Sequence, residues 1–232
     1  MEFKKIGILG GMGPESSASF YQKIIKYCQK KYGAVQDTDF PPMIMYSLPL
    51  SGLDETGIVD KTGVLNQLIH GVNTLEKAGC DFIVIPCNTV HHFIDSLRLL
   101  FSIPIISILE ETVKKIKQSN HSSVGILGSE TMLKLQLYQK LLGKNNIACV
   151  SPTNKEGILI TKLILQVMSG KVEDKTKNDV LSIIRKMELQ STKAVILGCT
   201  EMPLAITQED VNIKVYDTLQ ILAESAVDYA SK

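Results

Sequence analysis

The sequence predicts an α/β protein made of two similar halves. Three observations carry this: short β-branched runs alternate with helix-period stripes along nearly the whole chain, an opening phrase recurs, and so does a closing one. Alternation of that kind means parallel sheets covered by helices on both faces. "IGILGGMGPESSASFYQKII" at residues 6–25 lines up with "VGILGSETMLKLQLYQKLL" at residues 124–142, which puts Gly7 and Gly125 118 positions apart (125 − 7). "DFIVIPCNTVHHF" at residues 81–93 and "KAVILGCTEMPLA" at residues 193–205 put Cys87 and Cys199 112 apart (199 − 87). Start and finish repeat at nearly one spacing, which marks two copies of a single unit. The bland alternative is that any two βα units look alike, and the paired GILG and YQK echo argues against it.

The strands are expected at Lys5–Leu9, Met43–Ser47, Phe82–Pro86, Ile105–Ile108, Ser123–Leu127, Ala148–Val150, Ala194–Leu197 and Lys214–Tyr216. Helical stripes fall between them: Phe20, Tyr21, Ile24, Ile25 and Cys28; Val64, Leu65, Leu68, Ile69, Val72 and Leu75; Val90, Phe93, Ile94, Leu97 and Leu100. Each half reads as a flavodoxin-like domain, a parallel sheet flanked by helices. The two are expected to be related by a pseudo-twofold axis, with the active site in the cleft between them. The first domain would take residues 1–108 together with 208–232, where a last helix from Asp217 to about Ala230 returns to it. The second would take residues 109–207. No linker is rich in Pro or Gly.

Bulk properties exclude several classes. With 44% hydrophobic and 21% charged residues and a net charge of +1, the chain lacks the basic excess that nucleic acid or an anionic membrane recruits. No apolar run approaches the ~18 residues of a membrane span, and the four apolar residues after "MEFKK" are too few for a signal-peptide core. The five cysteines (Cys28, Cys80, Cys87, Cys149 and Cys199) are odd in number and scattered, with no C-x-x-C pair. They read as reduced thiols of a cytoplasmic protein.

Ligands of open parallel sheets bind at the carboxyl ends of the strands, and four such ends here carry chemistry. "GGMGPE" follows the first strand. Its glycines let backbone approach a ligand, and Pro14 suits a first helical turn. It is a candidate anion cradle and not the dinucleotide fingerprint, since G-x-G-x-x-G cannot be laid on it. "GSET" follows the matching strand and offers the hydroxyls of Ser129 and Thr131. Cys87 is followed by Asn88 and Thr89, and Cys199 by Thr200, all helix-capping types. A thiol at a helix N-terminus is expected to have its thiolate stabilised. One such cysteine alone reads as a small buried hydrophobe. Two at equivalent positions of duplicated halves read as a pair, while Cys28, Cys80 and Cys149 read as structural. Opposed thiols suit racemisation or epimerisation, one taking the Cα proton from one face and the other returning a proton to the opposite face. Backbone N–H groups and hydroxyls at the strand ends would hold the substrate carboxylate and absorb carbanion charge.

"GILGGMGPES", "PCNTVHH" and "LGCTEMP", in this order and spacing, resemble the cofactor-independent aspartate/glutamate racemase family across nearly the full chain. The resemblance implies a two-domain α/β fold, a homodimer, a small-molecule amino-acid substrate, and neither pyridoxal phosphate nor a metal. It implies that Cys87 and Cys199 are the catalytic cysteines. Met12, Asn88, Thr89, Ser129 and Thr200 would line the substrate site, and Glu201 would assist proton transfer or stabilise its helix N-terminus. Aspartate and glutamate are the expected substrates. The alternative is basic or broader amino acids, since "KYCQKKYGAVQDTDFPPMIMYS" in the first half resembles a branch of the family acting on those, and two departures count against an acidic substrate. Leu53, Asp54 and Glu55 stand where relatives on aspartate carry an arginine for the distal carboxylate, and Ile158 falls at the position of a substrate-binding lysine, with Lys155 and Lys162 nearby.

His91 stands one helical turn beyond Cys87. It reads as bonded to nearby backbone, with tuning of the thiolate as the alternative. No carboxylate or third histidine accompanies His91 and His92 at zinc-ligand spacing. Three rival functions use the same features. A non-catalytic small-anion or amino-acid binding protein would need neither cysteine. A redox protein would set its two thiols as a resolving pair. A decarboxylase of the same superfamily would keep one thiol.

Overall fold

The computed structural model describes residues 3–232. The first part of the chain runs β1 (Ile6–Gly10), α1 (Pro14–Tyr32), β2 (Met43–Ser47), α2 (Lys61–Lys77), β3 (Phe82–Val84), α3 (Ile94–Leu100), β4 (Ile105–Ile106) and α4 (Ile108–Gln118). It continues as β5 (Ser123–Leu127), α5 (Glu130–Leu135), α6 (Leu137–Gly143), β6 (Ala148–Val150), α7 (Asn154–Met168), α8 (Asp174–Leu189), β7 (Ala194–Leu197), β8 (Lys214–Asp217) and α9 (Thr218–Ala230). Two four-stranded sheets result, ordered β2-β1-β3-β4 and β6-β5-β7-β8, and every pairing is parallel. Both therefore carry the flavodoxin-like order, in which the strand sequence reverses between the first and third strands. Among the described residues no helix is long and apolar enough to cross a membrane.

The chain forms two compact units. One takes the chain up to Leu53, Val59–Glu111 and Leu219–Lys232; the other takes Asp54–Ile58 and Thr112–Thr218. Two details differ from the sequence-based boundaries. Strand β8 pairs with β7 along Lys214–Asp217, so the second sheet continues past residue 207. The five-residue excursion Asp54–Ile58 also belongs to the second unit. It is an exposed turn in which the Asp54 carboxylate accepts from the amides of Thr56 and Gly57 at 2.8 and 3.0 Å, and local periodicity does not register it.

The repeated glycine has the same job in both units. A Cβ on Gly7 would lie 3.1 Å from the Cβ and Sγ of Cys80, and one on Gly125 would lie 2.7 Å from Met187 Sδ. The missing side chain lets the residue entering β3 lie against β1 in the first unit, and makes room for the last turn of α8 against β5 in the second. Cys80 is thus a packing residue, as is Cys28, which is fully buried in α1. Around these contacts sit Ile6, Ile8, Phe20, Leu68, Phe82 and Ile83 in the first unit, and Leu127, Ile160, Ile164, Val180, Ile184, Val195 and Leu197 in the second. Each such side chain contributes about 1.5–3 kcal/mol on burial.

One defect stands out beside Gly125. The hydroxyl of Thr192 is fully buried and has no hydrogen-bond partner. Its Cγ2 would be 3.6 Å from a Cβ on Gly125, an ordinary packing distance. Thr192→Val keeps that shape and removes the orphan hydroxyl, so urea unfolding is expected to show a gain of about 1 kcal/mol. An unchanged or lowered stability would mean the hydroxyl is satisfied in solution.

Candidate active site

In the first unit the loops that follow β1 and β3 lie side by side, because these strands pair from Ile6↔Phe82 to Ile8↔Val84. The β1 loop is fixed by Ser17. Its Oγ accepts from the Gly11 amide at 2.8 Å and donates to the Gly13 carbonyl at 2.7 Å. Gly11 has φ +89°, and a Cβ there would meet backbone N and O of Leu48 at 2.5 Å, so no other residue fits. Gly13 precedes Pro14 at the first position of α1, and Met12 sits half-buried at the loop tip.

Strand β3 ends earlier than the expected Pro86. The Cys87 amide turns back to the Ile85 carbonyl at 2.8 Å, which lifts the thiol out of the ladder. Cys87 is half-buried, Asn88 is buried and Thr89 is half-buried. His91 is 3% exposed. Its Nδ1 is 2.8 Å from the Cys87 carbonyl, and its Nε2 is 3.2 Å from the Ile108 amide. The amide can only donate, so Nε2 accepts, and the ring proton sits on Nδ1 and is donated to Cys87 O. Burial pushes the imidazole down to about 4, so the ring is neutral at physiological pH.

In the second unit the β7 loop crosses the end of β5. The Gly198 amide donates to the Leu127 carbonyl at 2.7 Å, and a Cβ on Gly198 would lie 2.9 Å from that same oxygen. The glycine before Cys199 is thus required for the close approach. Cys199 is half-buried, and its Sγ donates to Glu201 Oε2 at 2.9 Å. The hydroxyl of Thr200, itself buried, donates to the same oxygen at 3.2 Å. Glu201 is only 4% exposed, so a buried carboxylate gathers a thiol and a hydroxyl. Ser129 caps α5, its Oγ accepting from Met132 N at 3.3 Å.

Thr131 is occupied elsewhere: it donates its hydroxyl to Asp54 O at 2.8 Å and its amide to Glu55 O at 3.0 Å. That pair seats the Asp54–Ile58 turn against the start of α5. Glu55 is half-buried there, and burial together with the negative charge of Glu201 holds its carboxyl above the usual carboxylate range. The electrostatic coupling of Glu55 to Glu201 is the part that the sequence does not show. Its only trace in the sequence is an acid where a cation was expected.

Two expectations are corrected. No α-helix begins at either thiol. Thr89–Phe93 and Met202–Leu204 are 3₁₀ turns, and α3 starts only at Ile94. The capping side-chain bonds expected of Asn88 and Thr200 are not those observed: the turn at Asn88 has no side-chain cap bond, and Thr200 turns to Glu201. Short 3₁₀ turns have poorer dipole alignment than α-helices, so Glu201 and neighbouring backbone, rather than a helix macrodipole, are the local electrostatics. Ile158 is 57% exposed on α7, and Lys162 pairs with Glu173 at 3.2 Å on the surface. The Cys149 thiol is pushed up to about 11 by burial, as suits a structural residue. No disulfide joins any of the five cysteines.

The family model described as Asp/Glu/Hydantoin racemase matches residues 9–226. The chain belongs to that family. It is 32% identical over 222 residues to the broad specificity amino-acid racemase RacX of Bacillus subtilis (strain 168), covering 96% of both chains. It is 26% identical over 192 residues to the glutamate racemase of Persephonella marina, covering 82% of this chain and 71% of that one. Among solved structures it is similar to an aspartate racemase homologue from Pyrococcus horikoshii OT3, with TM-score 0.84, 30% identity, and 99% and 100% of the two chains covered. The family acts on small amino-acid substrates, and the fold is that of its solved members.

A neutral buried His91 has a stability consequence. Its folded value of about 4 lies below the ordinary 6.5, so between these values the unfolded chain binds a proton that the native one does not. Stability contributed by this group is therefore whole above pH 6.5 and falls as pH drops toward 4. Urea unfolding should show a loss of roughly 2 kcal/mol between pH 7 and 4.5 from this residue. That component should be missing in His91→Asn; the same pH profile in both proteins would contradict it.

Proposed function

We propose that the protein is a cofactor-independent amino-acid racemase in which Cys87 and Cys199 act as the two opposed acid/base groups. The observation that carries this reading is the placement of both thiols. Each follows the third strand of one of two sheets with the same strand order and is half-buried, with a close-approach glycine nearby: Gly11 in the loop beside Cys87 and Gly198 directly before Cys199. In one direction the Cys87 thiolate takes the Cα proton and the Cys199 thiol supplies one to the opposite face; the reverse reaction exchanges the roles. Glu201 accepts the Cys199 proton and gives it back, while Thr200 orients the carboxylate. Met12, Asn88, Thr89 and Ser129 complete the substrate site, where backbone amides and hydroxyls stabilise the developing negative charge.

The substrate reading moves toward the broader alternative. Glu55, an acid beside Glu201 where a carboxylate-binding cation was expected, favours amino acids without a second carboxylate over aspartate and glutamate. The similarity to a broad specificity racemase supports the same choice. The reading includes a homodimer working in the cytoplasm, as the family resemblance implies.

Racemisation followed by circular dichroism, without added pyridoxal phosphate, tests it across basic, neutral and acidic amino acids. Basic and neutral substrates should turn over faster than glutamate. Cys87→Ala and Cys199→Ala should each lower kcat by about 10³-fold or more, and Glu201→Gln by about 10²-fold, within the range of general acid–base contributions. Unchanged racemisation in either cysteine variant would refute the two-thiol assignment. Tight amino-acid binding with no turnover would instead favour a binding protein.

A further inference from the structure

His91 is a buried titratable side chain of the first unit, and both of its ring nitrogens are engaged by main chain at a candidate catalytic loop. Its Nδ1–H holds the Cys87 carbonyl at 2.8 Å, and its Nε2 holds the Ile108 amide at 3.2 Å. Cys87 is then tied at both backbone polar atoms, since its own amide is bonded to the Ile85 carbonyl at 2.8 Å. A further bond from the His91 amide to the Asn88 carbonyl at 3.1 Å closes the turn. Ile108 opens α4 immediately after β4, and β4 pairs with β3 at Ile83↔Ile105 and Val84↔Ile106. The imidazole therefore bridges the ends of two neighbouring strands. That neighbour is itself braced. Arg98 donates to the Ile105 carbonyl at 2.7 Å through Nη2 and forms a two-pronged pair with Glu110 at 2.7 and 2.9 Å.

We propose that His91 is the positioning residue for Cys87: it touches no substrate, and it fixes the backbone from which one of the two thiols works. The proposal rests on the racemase reading. With both nitrogens committed to main chain, the ring itself is excluded from proton transfer. Its chemistry is geometric, and a thiol displaced by about 1 Å loses roughly 10²-fold in rate. Only the half-reaction that uses Cys87 should suffer, because Cys199 hangs from a different sheet by different bonds.

Elimination from the two enantiomers of β-chloroalanine separates the half-reactions. A thiolate removes the Cα proton, the electron pair forms the Cα–Cβ double bond, and chloride leaves from Cβ. The resulting 2-aminoacrylate takes up water to give pyruvate and ammonium. One base suffices for each enantiomer, so the ratio of the two rates reports each thiol separately and is insensitive to the fraction of folded protein.

The variants to compare are Cys87→Ala, His91→Leu and His91→Asn, with pyruvate as the readout. Cys87→Ala should abolish elimination from one enantiomer. His91→Leu should lower that same enantiomer's rate by about 10²-fold and leave the other within about twofold. His91→Asn keeps an amide N–H for the Cys87 carbonyl and should recover most of the loss. Parallel falls for both enantiomers in His91→Leu, or no fall in either, would overturn the proposal while the one-sided effect of Cys87→Ala keeps the racemase reading intact. If Cys87→Ala is not one-sided, the two-thiol reading falls and takes the role of His91 with it.

Discussion

The constraint on which the rest depends is the direct pairing of the first and third strands in each sheet. In a parallel sheet all carboxyl ends lie on one edge, and the reversal of strand order between these two strands opens a crevice there. Pairing of β1 with β3 brings the Gly10–Gly13 loop beside Cys87, and pairing of β5 with β7 brings Ser129 beside Cys199. Backbone ladders thus do the gross placement. Gly11 and Gly198 do the fine placement, each lacking a side chain where neighbouring backbone comes within 3 Å.

The two thiols are held by different means. Cys87 is fixed through its main chain, by Ile85 and by a neutral histidine whose proton is committed. Cys199 is engaged through its sulfur, which donates to a buried carboxylate shared with Thr200. In the proposed racemisation, whose ends are mirror images, the two thiols need equivalent reach, but they do not need identical support. The duplication supplied equivalent strand ends, and each copy carries its own residues around the thiol.

Most of the fold was legible in the sequence because it rests on local pattern. The strands at Met43–Ser47, Ser123–Leu127, Ala148–Val150 and Ala194–Leu197 match residue for residue, and the GILG echo reported the matching sheet orders. Features set by non-local contact were not legible. A five-residue stripe such as Val90–Ile94 looks alike in a 3₁₀ turn and in the first turn of an α-helix, so Asn88 and Thr200 were read as caps. Nothing near Asp54 announces that its turn is held by Thr131, 77 positions away. The reading of His91 as a backbone-bonded residue agrees with the structure, but its second partner, Ile108, follows only from strand pairing.

The origin of the hydrogen at Cα bears most directly on the proposal that two thiols serve one carbon. Racemisation of a protonated amino acid in deuterium oxide, stopped at low conversion and analysed enantiomer by enantiomer by mass spectrometry, reads it. Two monoprotic groups on opposite faces predict deuterium at Cα of the product enantiomer and almost none in recovered substrate. Product that retains the substrate's own hydrogen would mean a single group carries the proton from one face to the other, and would contradict this account.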